Sequence, residues 1–220
     1  TPTNLGLTSG IILSSGLVNG TPAIGAPVTD FASTDNTSGG DVDLQTLTAD
    51  QVEDAAILEF DFVPTSDTMR FSYVFASEEY PEFVNSSVND VFGFFISGAN
   101  PAGGNFNNKN LALIPGTNSP VSIDNINGGS YPQFYIDNEG INGGTIVYDG
   151  FTTVFTAWSL VTPCTEYHIK MAICDAGDGI YDSGVFLMAN SFSSNSAVSI
   201  QSFGSTSDSL MVEGCGNGDF

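Results

Sequence analysis

Positive charge is the scarcest property of this sequence. Arg70, Lys109 and Lys170 are its only Arg and Lys residues, set against 25 Asp and Glu, for a net charge of −22. Ordinary nucleic-acid binding needs a basic face and is excluded, and anionic membranes and phosphate-rich substrates are disfavoured for the same reason. Histidine and tryptophan occur once each, as His168 and Trp158. A lone histidine leaves no His-rich metal motif, and neither a Gly-x-Ser-x-Gly elbow nor a lysine-bearing phosphate loop is present. No apolar run approaches membrane-spanning length, so direct membrane insertion is not expected. The first residues lack the basic and apolar regions of a signal peptide, and the chain reads as mature or as cut from a longer one. Sustained helical periodicity is missing too. Only residues 48–54, with Thr48 as N-cap and acids in the first turns, predict a turn or two of helix.

What is present is a folding sequence. Its 220 residues suffice to bury a core, and 41% apolar content with 17 Phe is unlike a disordered acidic tail. Charged residues make up only 13%, so the solvated surface falls to Ser, Thr, Asn and Gly, a profile that suits an extracellular protein. Cys164 and Cys174 bracket an apolar strand. Ten residues of extended chain part them by roughly 33 Å, beyond disulfide reach unless the chain bends between them. Cys215 is expected to pair with Cys164 or with a residue outside this sequence, and Cys174 reads as a free buried thiol.

Period-two alternation dominates the middle of the chain. Leu58-Glu-Phe60-Asp-Phe62 and Phe71-Ser-Tyr73-Val-Phe75 alternate cleanly and predict a hairpin. Val91-Phe-Gly-Phe-Phe-Ile96 is apolar on both faces, as expected of a central strand covered on both sides. Further strands are predicted near residues 10–16, 111–114, 121–123, 145–148, 154–158, 167–173, 185–189 and 198–200. About ten short strands joined by Gly/Asn/Pro turns predict an all-β, antiparallel β-sandwich, jelly-roll-like, with long Gly/Asn-rich loops. The domain is placed at residues 1–203, with 204–220 a linker and the start of a following segment.

The stretches Asp54-Ala-Ala-Ile-Leu-Glu-Phe-Asp-Phe-Val-Pro64, Tyr73-Val-Phe-Ala-Ser-Glu-Glu-Tyr-Pro-Glu-Phe-Val84, Asn89-Asp-Val-Phe-Gly-Phe-Phe-Ile-Ser-Gly98 and Asn110-Leu-Ala-Leu-Ile-Pro-Gly-Thr117 resemble the choice-of-anchor L domain family from about Gly6 to Phe192. The resemblance implies a module of large secreted or cell-surface proteins, frequent in Bacteroidota and often exported by the type IX secretion system. It implies location more than mechanism. Cys174 departs from the pattern, where a small residue such as Ala is expected.

The chemistry concentrates in Asp175-Ala-Gly-Asp178-Gly-Ile-Tyr-Asp182. Three carboxylates in eight residues repel one another unless a cation sits among them, and an all-oxygen set predicts Ca²⁺. The spacing is not that of an EF-hand, and the bland alternative is a set of Asx turns. Glu78, Glu79, Asn89 and Asp90 are expected to join this loop at one rim of the sandwich, completing the site. Asp41, Asp43 and Asp54 are candidates for a second metal site, or else turn acids and a cap. Tyr131, Phe134, Tyr135 and Trp158 are placed to stack on a ligand, although aromatics in sandwiches usually serve the core. Acids are so plentiful that a glycosidase-like pair has little diagnostic weight, and strand parity puts His168 at the surface. The expected role is therefore non-catalytic: a Ca²⁺-stabilised extracellular module, beside neighbouring domains of its own chain, that binds a glycan or peptide. A purely structural spacer is the alternative.

Overall fold

The computed structural model describes residues 3–18, 33–140 and 144–194. One antiparallel sheet contains β1 (Gly10–Ser14), β3 (Thr68–Ser77), β7 (Tyr135–Asp137), β8 (Gly150–Thr152), β9 (Phe155–Leu160) and β11 (Ser183–Met188). Its order is β1-β11-β3-β8-β7, with β9 also on β3. The other contains β2 (Val52–Phe62), β4 (Val91–Ala99), β5 (Asn105–Asn110), β6 (Val121–Ser122) and β10 (Tyr167–Ala176), in the order β2-β10-β4-β5 with β6 on β4. The protein is an all-β sandwich.

Alternation sorts the side chains. Phe92, Phe94 and Ile96 of β4 point between the sheets, where they meet Phe71, Tyr73 and Phe75 of β3 and Ile169, Met171 and Ile173 of β10. Tyr73 and Phe92 rings lie 5.0 Å apart, and Phe71 meets Phe94 edge-on at 5.9 Å. Val91 and Phe95, on the other face of β4, pack with Ala172 and Cys174 under Leu44. That second cluster is why the sequence of β4 is apolar on both faces. A third cluster lies over β3 and β11, where Val74, Ala76 and Phe186 are covered by Leu5, Ile146 and Phe151.

Several expectations are corrected. Residues 58–62 and 71–75 do not form a hairpin: β2 pairs with β10, and β3 pairs with β8, β9 and β11. Both strands have a clean inner face, and either partner satisfies alternation alone. The helix expected at 48–54 is replaced by a 3₁₀ turn at Leu44–Thr46 and by the start of β2. Ladder bonds to β10 outweigh a weak local cap there. Residues 111–114 and 145–148 contribute no strand beyond isolated bridges, while β5 arises from a stretch that reads as loop. The strand at 198–200, Cys215 and the segment 204–220 lie outside the described residues. Cys174 is free and buried, and Cys164 is disulfide-bonded.

Candidate metal centre at the sandwich rim

Four strand ends meet at one rim. β10 runs on through Asp175, β4 begins just after Asp90, β3 ends just before Glu78 and Glu79, and β11 begins just after Asp182. Register enforces the meeting, because Ser183 faces Ser77 across β11 and β3, and Cys174 faces Val91 across β10 and β4. Opposite Asp175 the β10–β2 ladder bulges: Ile173 pairs with Ala56 but Asp175 with Glu53, which leaves one extra residue on β2. Asp54 lies in that bulge at a left-handed φ of 49°, a conformation that Asp tolerates. Gly177, at φ 110°, turns the chain out of β10. A Cβ there would stand 2.4 Å from the Ser87 carbonyl oxygen, so the turn requires glycine.

The rim is dry. Asp90 and Asp175 expose no surface, and Glu78, Glu79 and Asp182 expose 1% each. Asp90 accepts hydrogen bonds from the Ser183 hydroxyl at 2.6 Å and the Ala176 N–H at 2.9 Å, and its own N–H points at Glu79 Oε2, 3.5 Å away. Asp182 Oδ1 accepts the Thr34 N–H at 2.8 Å, while its carbonyl accepts the Glu78 N–H at 3.1 Å. Asp175 differs. The Ser15 hydroxyl lies near enough to favour its charge, but that hydroxyl is engaged with the Ser183 N–H at 2.9 Å and carbonyl at 3.3 Å. Neither Asp175 oxygen has a donor partner among the described residues, although the Asp90 carboxyl lies near enough to interact with it.

Burial dominates the electrostatics. It pushes Asp175 up to about 10, helped by the neighbouring charge of Asp90. It pushes Glu79 up to about 9, against the Asp90 N–H that favours its charge. Asp182 rises to about 6, and Asp90 is held well above the carboxylate range, first by burial and then by Glu79. Carboxyls that retain protons this strongly are short of positive charge, and a hard divalent cation is what an all-oxygen set would accept. Asp90 and Asp175 lie close enough to interact, but no three rim carboxylates among the described residues converge. Among the described residues, the trio whose carboxylate oxygens come within 4.8 Å of one another is Glu82, Glu139 and Asp149. Those three are scattered along the chain, and no spacing in the sequence announces them. To hold an ion, the rim side chains must turn inward around it.

Not every expected ligand faces the rim interior. Asp178 is exposed and its Oδ1 accepts the Ile180 N–H at 3.1 Å, an Asx turn. Asn89 Oδ1 accepts the Asp124 N–H at 3.1 Å. Asp41, Asp43 and Asp54 are not brought together as one ligand sphere. Asp41 and Asp43 both ion-pair with Lys170, and Asp54 accepts the N–H groups of Asn36 at 2.7 Å and Ser38 at 2.6 Å. The cation that Asp41 and Asp43 needed is Lys170, more than a hundred residues away in sequence. Ser15 and Ser183, which frame the rim, are residues that sequence reasoning passes over. Ser183 follows Asp182 directly, but nothing local marks Ser15.

The four candidate stacking aromatics divide. Trp158 is 60% exposed, and Tyr131 is 37% exposed with its ring stacked on Phe134. Phe134 and Tyr135 pack partly into the core, Tyr135 against Tyr80 at 4.9 Å. His168 is at the surface, with Nδ1 2.8 Å from Asp61. No curated protein and no solved structure matches this chain. A family match does exist, and it covers residues 1–193, nearly all of the described sandwich. The chain therefore belongs to the choice-of-anchor L domain family, which makes it a module of a surface or secreted protein.

Proposed function

We propose that this chain is a non-catalytic extracellular module of a larger surface protein, stabilised by Ca²⁺ at the rim and serving adhesion to a glycan or peptide. Its setting is that of surface proteins exported by the type IX secretion system in Bacteroidota. The observation that carries the calcium reading is Asp175: a fully buried carboxyl with no donor on either oxygen among the described residues, and with Asp90, Asp182 and Glu79 near enough to feel its charge. A buried polar group without a partner costs about 1–3 kcal/mol, and a charged one more. Coordination removes that cost. Asp175 and Asp90 are the central ligands in this reading, with Glu79 and Asp182 turning in from the opposite sheet. An ion there ties the four strand ends together and pins Thr34 through Asp182.

Because these carboxyls expose almost nothing, the ion does not itself touch an external ligand; its role is structural. The same burial favours a second reading, a spacer stiffened by calcium with no ligand of its own. A glycan and peptide array separates the two, since a blank array supports the spacer.

Elemental analysis and thermal melting test the metal. Purified protein should contain calcium, and at 100 times Kd the ion should add about 2.7 kcal/mol of stability that a chelator removes. Asp175→Asn keeps the shape but not the charge, so it should melt no lower than the parent in chelator and should lose most of the calcium-dependent shift. Absence of both bound metal and a chelator effect overturns the calcium reading.

A further inference from the structure

The two cations that make no ion pair among the described residues line two depressions that share the only tryptophan. Lys170 is taken by Asp41 and Asp43, which leaves Arg70 and Lys109. Arg70 lies directly across the β3–β9 ladder from Trp158, on the outward face of the sheet. Lys109 belongs to β5, the edge of the other sheet, and its Nζ stands 5.1 Å from the Phe106 ring centre. A groove of about 640 Å³ runs between the two edges, with Trp158, Leu160 and Thr156 on one wall and Lys109, Asn100 and Thr117 on the other. A shallower depression of about 350 Å³ continues past Trp158 to Arg70 and Thr68. Thr156 and Trp158 line both.

In a chain with 25 acids, neither depression has a carboxylate among the described residues that line it. The volume falls in the ordinary range of ligand clefts, and an exposed indole flanked by amide and hydroxyl groups is a stacking platform with polar handles. A ring stacked on Trp158 has one cation in each of the two depressions beside it. That is the arrangement wanted by a polymer with one negative charge per ring, because the neighbours of the stacked unit carry their charges outward in both directions.

We propose that the Trp158 groove binds an acidic saccharide, a run of uronic acid units, with one sugar face on the indole and the carboxylates on Arg70 and Lys109. The net charge of −22 opposes such a ligand at long range, but beyond about 8 Å it is largely screened at physiological salt, so the local cations decide. The proposal rests on the adhesion half of the proposed function and is independent of calcium.

Because Trp158 is the sole tryptophan, its fluorescence reports the groove directly. The full chain is titrated in chelator, which prevents calcium from bridging uronates, with an oligogalacturonide, a neutral cello-oligosaccharide and poly-glutamate. The expected result is a saturable fluorescence change with the oligogalacturonide alone. Arg70→Gln and Lys109→Gln, both at exposed positions, should each weaken it by about tenfold, the equivalent of one charge-assisted contact. Trp158→Ala, followed by calorimetry, should abolish binding while leaving the melting temperature in place. No change with the oligogalacturonide, or equal affinity in the double Arg70→Gln/Lys109→Gln variant, overturns the proposal. Equal or tighter binding of poly-glutamate overturns it in favour of an acidic peptide, and of the neutral sugar in favour of an uncharged glycan. In both of those cases adhesion stands, whereas a chain that binds none of the probes and leaves the array blank loses the adhesion reading too.

Discussion

His168 shows how much a single position can report. Its imidazole sits 2.8 Å from Asp61 and 3.6 Å from Glu59 across the β10–β2 ladder. The Asp61 hydrogen bond, against a smaller desolvation and with help from Glu59, raises its pKa above the ordinary histidine value. A raised pKa means the protonated form is bound better in the folded state. The stability it adds is therefore fully present below the unfolded value, near 6.5, and is lost as pH rises through the higher folded value. Exposure keeps the contribution small. An NMR titration of the only histidine should give a midpoint above that of the urea-unfolded chain, and Asp61→Asn should bring it down. The surface placement of His168 was legible, because strand parity sets it opposite Tyr167 and Ile169. The exposure of Trp158 was not. Phe155 and Ala157 are apolar on one face of β9 and Trp158 and Leu160 on the other, so parity alone does not say which pair is covered.

At the level of elements, the outer face of β10 illustrates what a covering loop can do. The Leu44–Thr46 turn folds over this face, burying Leu44 beside Ala172 and Cys174. It also sets Asp41 and Asp43 on Lys170, with the Asp43 contact at 2.7 Å. Burial works against both partners. In Lys170 the two aspartates outweigh it and hold the ammonium pKa up, and in Asp43 the hydrogen bonds of Lys170 and Asn108 outweigh it and hold the carboxyl down. Lys170→Met removes the cation and strands two largely buried carboxylates, which should cost about 3 kcal/mol in urea unfolding. Adding Asp41→Asn and Asp43→Asn to that variant should recover much of the loss, because the three side chains act as one unit. The sequence marks Asp41 and Asp43 as acids in search of a cation. It does not show that the cation is Lys170, since the pairing crosses from a loop to a strand formed far later in the chain.

For the whole molecule, stability rests on the aromatic layer between the sheets. Phe94 has no exposed surface and lies edge-on to Phe71. Phe94→Ala should cost about 3–5 kcal/mol, read as a lower urea midpoint with an unchanged slope. The sequence by itself determined the class of this fold. Alternation of large apolar residues with polar ones, short spacing and Gly/Asn-rich turns permit little except a sandwich, and the run at 91–96 identifies a strand covered on both faces. It also determined that the acids at 78–90 and 175–182 belong to strand ends. Tertiary structure decided the partners. A strand's hydrophobic pattern fixes which face is buried but not which neighbour it takes, so β2 could be assigned to β10 only by the assembled sheet. The same limit governs the site. Asp175 became a fully buried carboxyl with no donor among the described residues because four strand ends close over it, whereas Asp178, three residues on, turned out to solvent. Burial is a property of the assembled rim, and no spacing within the loop carries it.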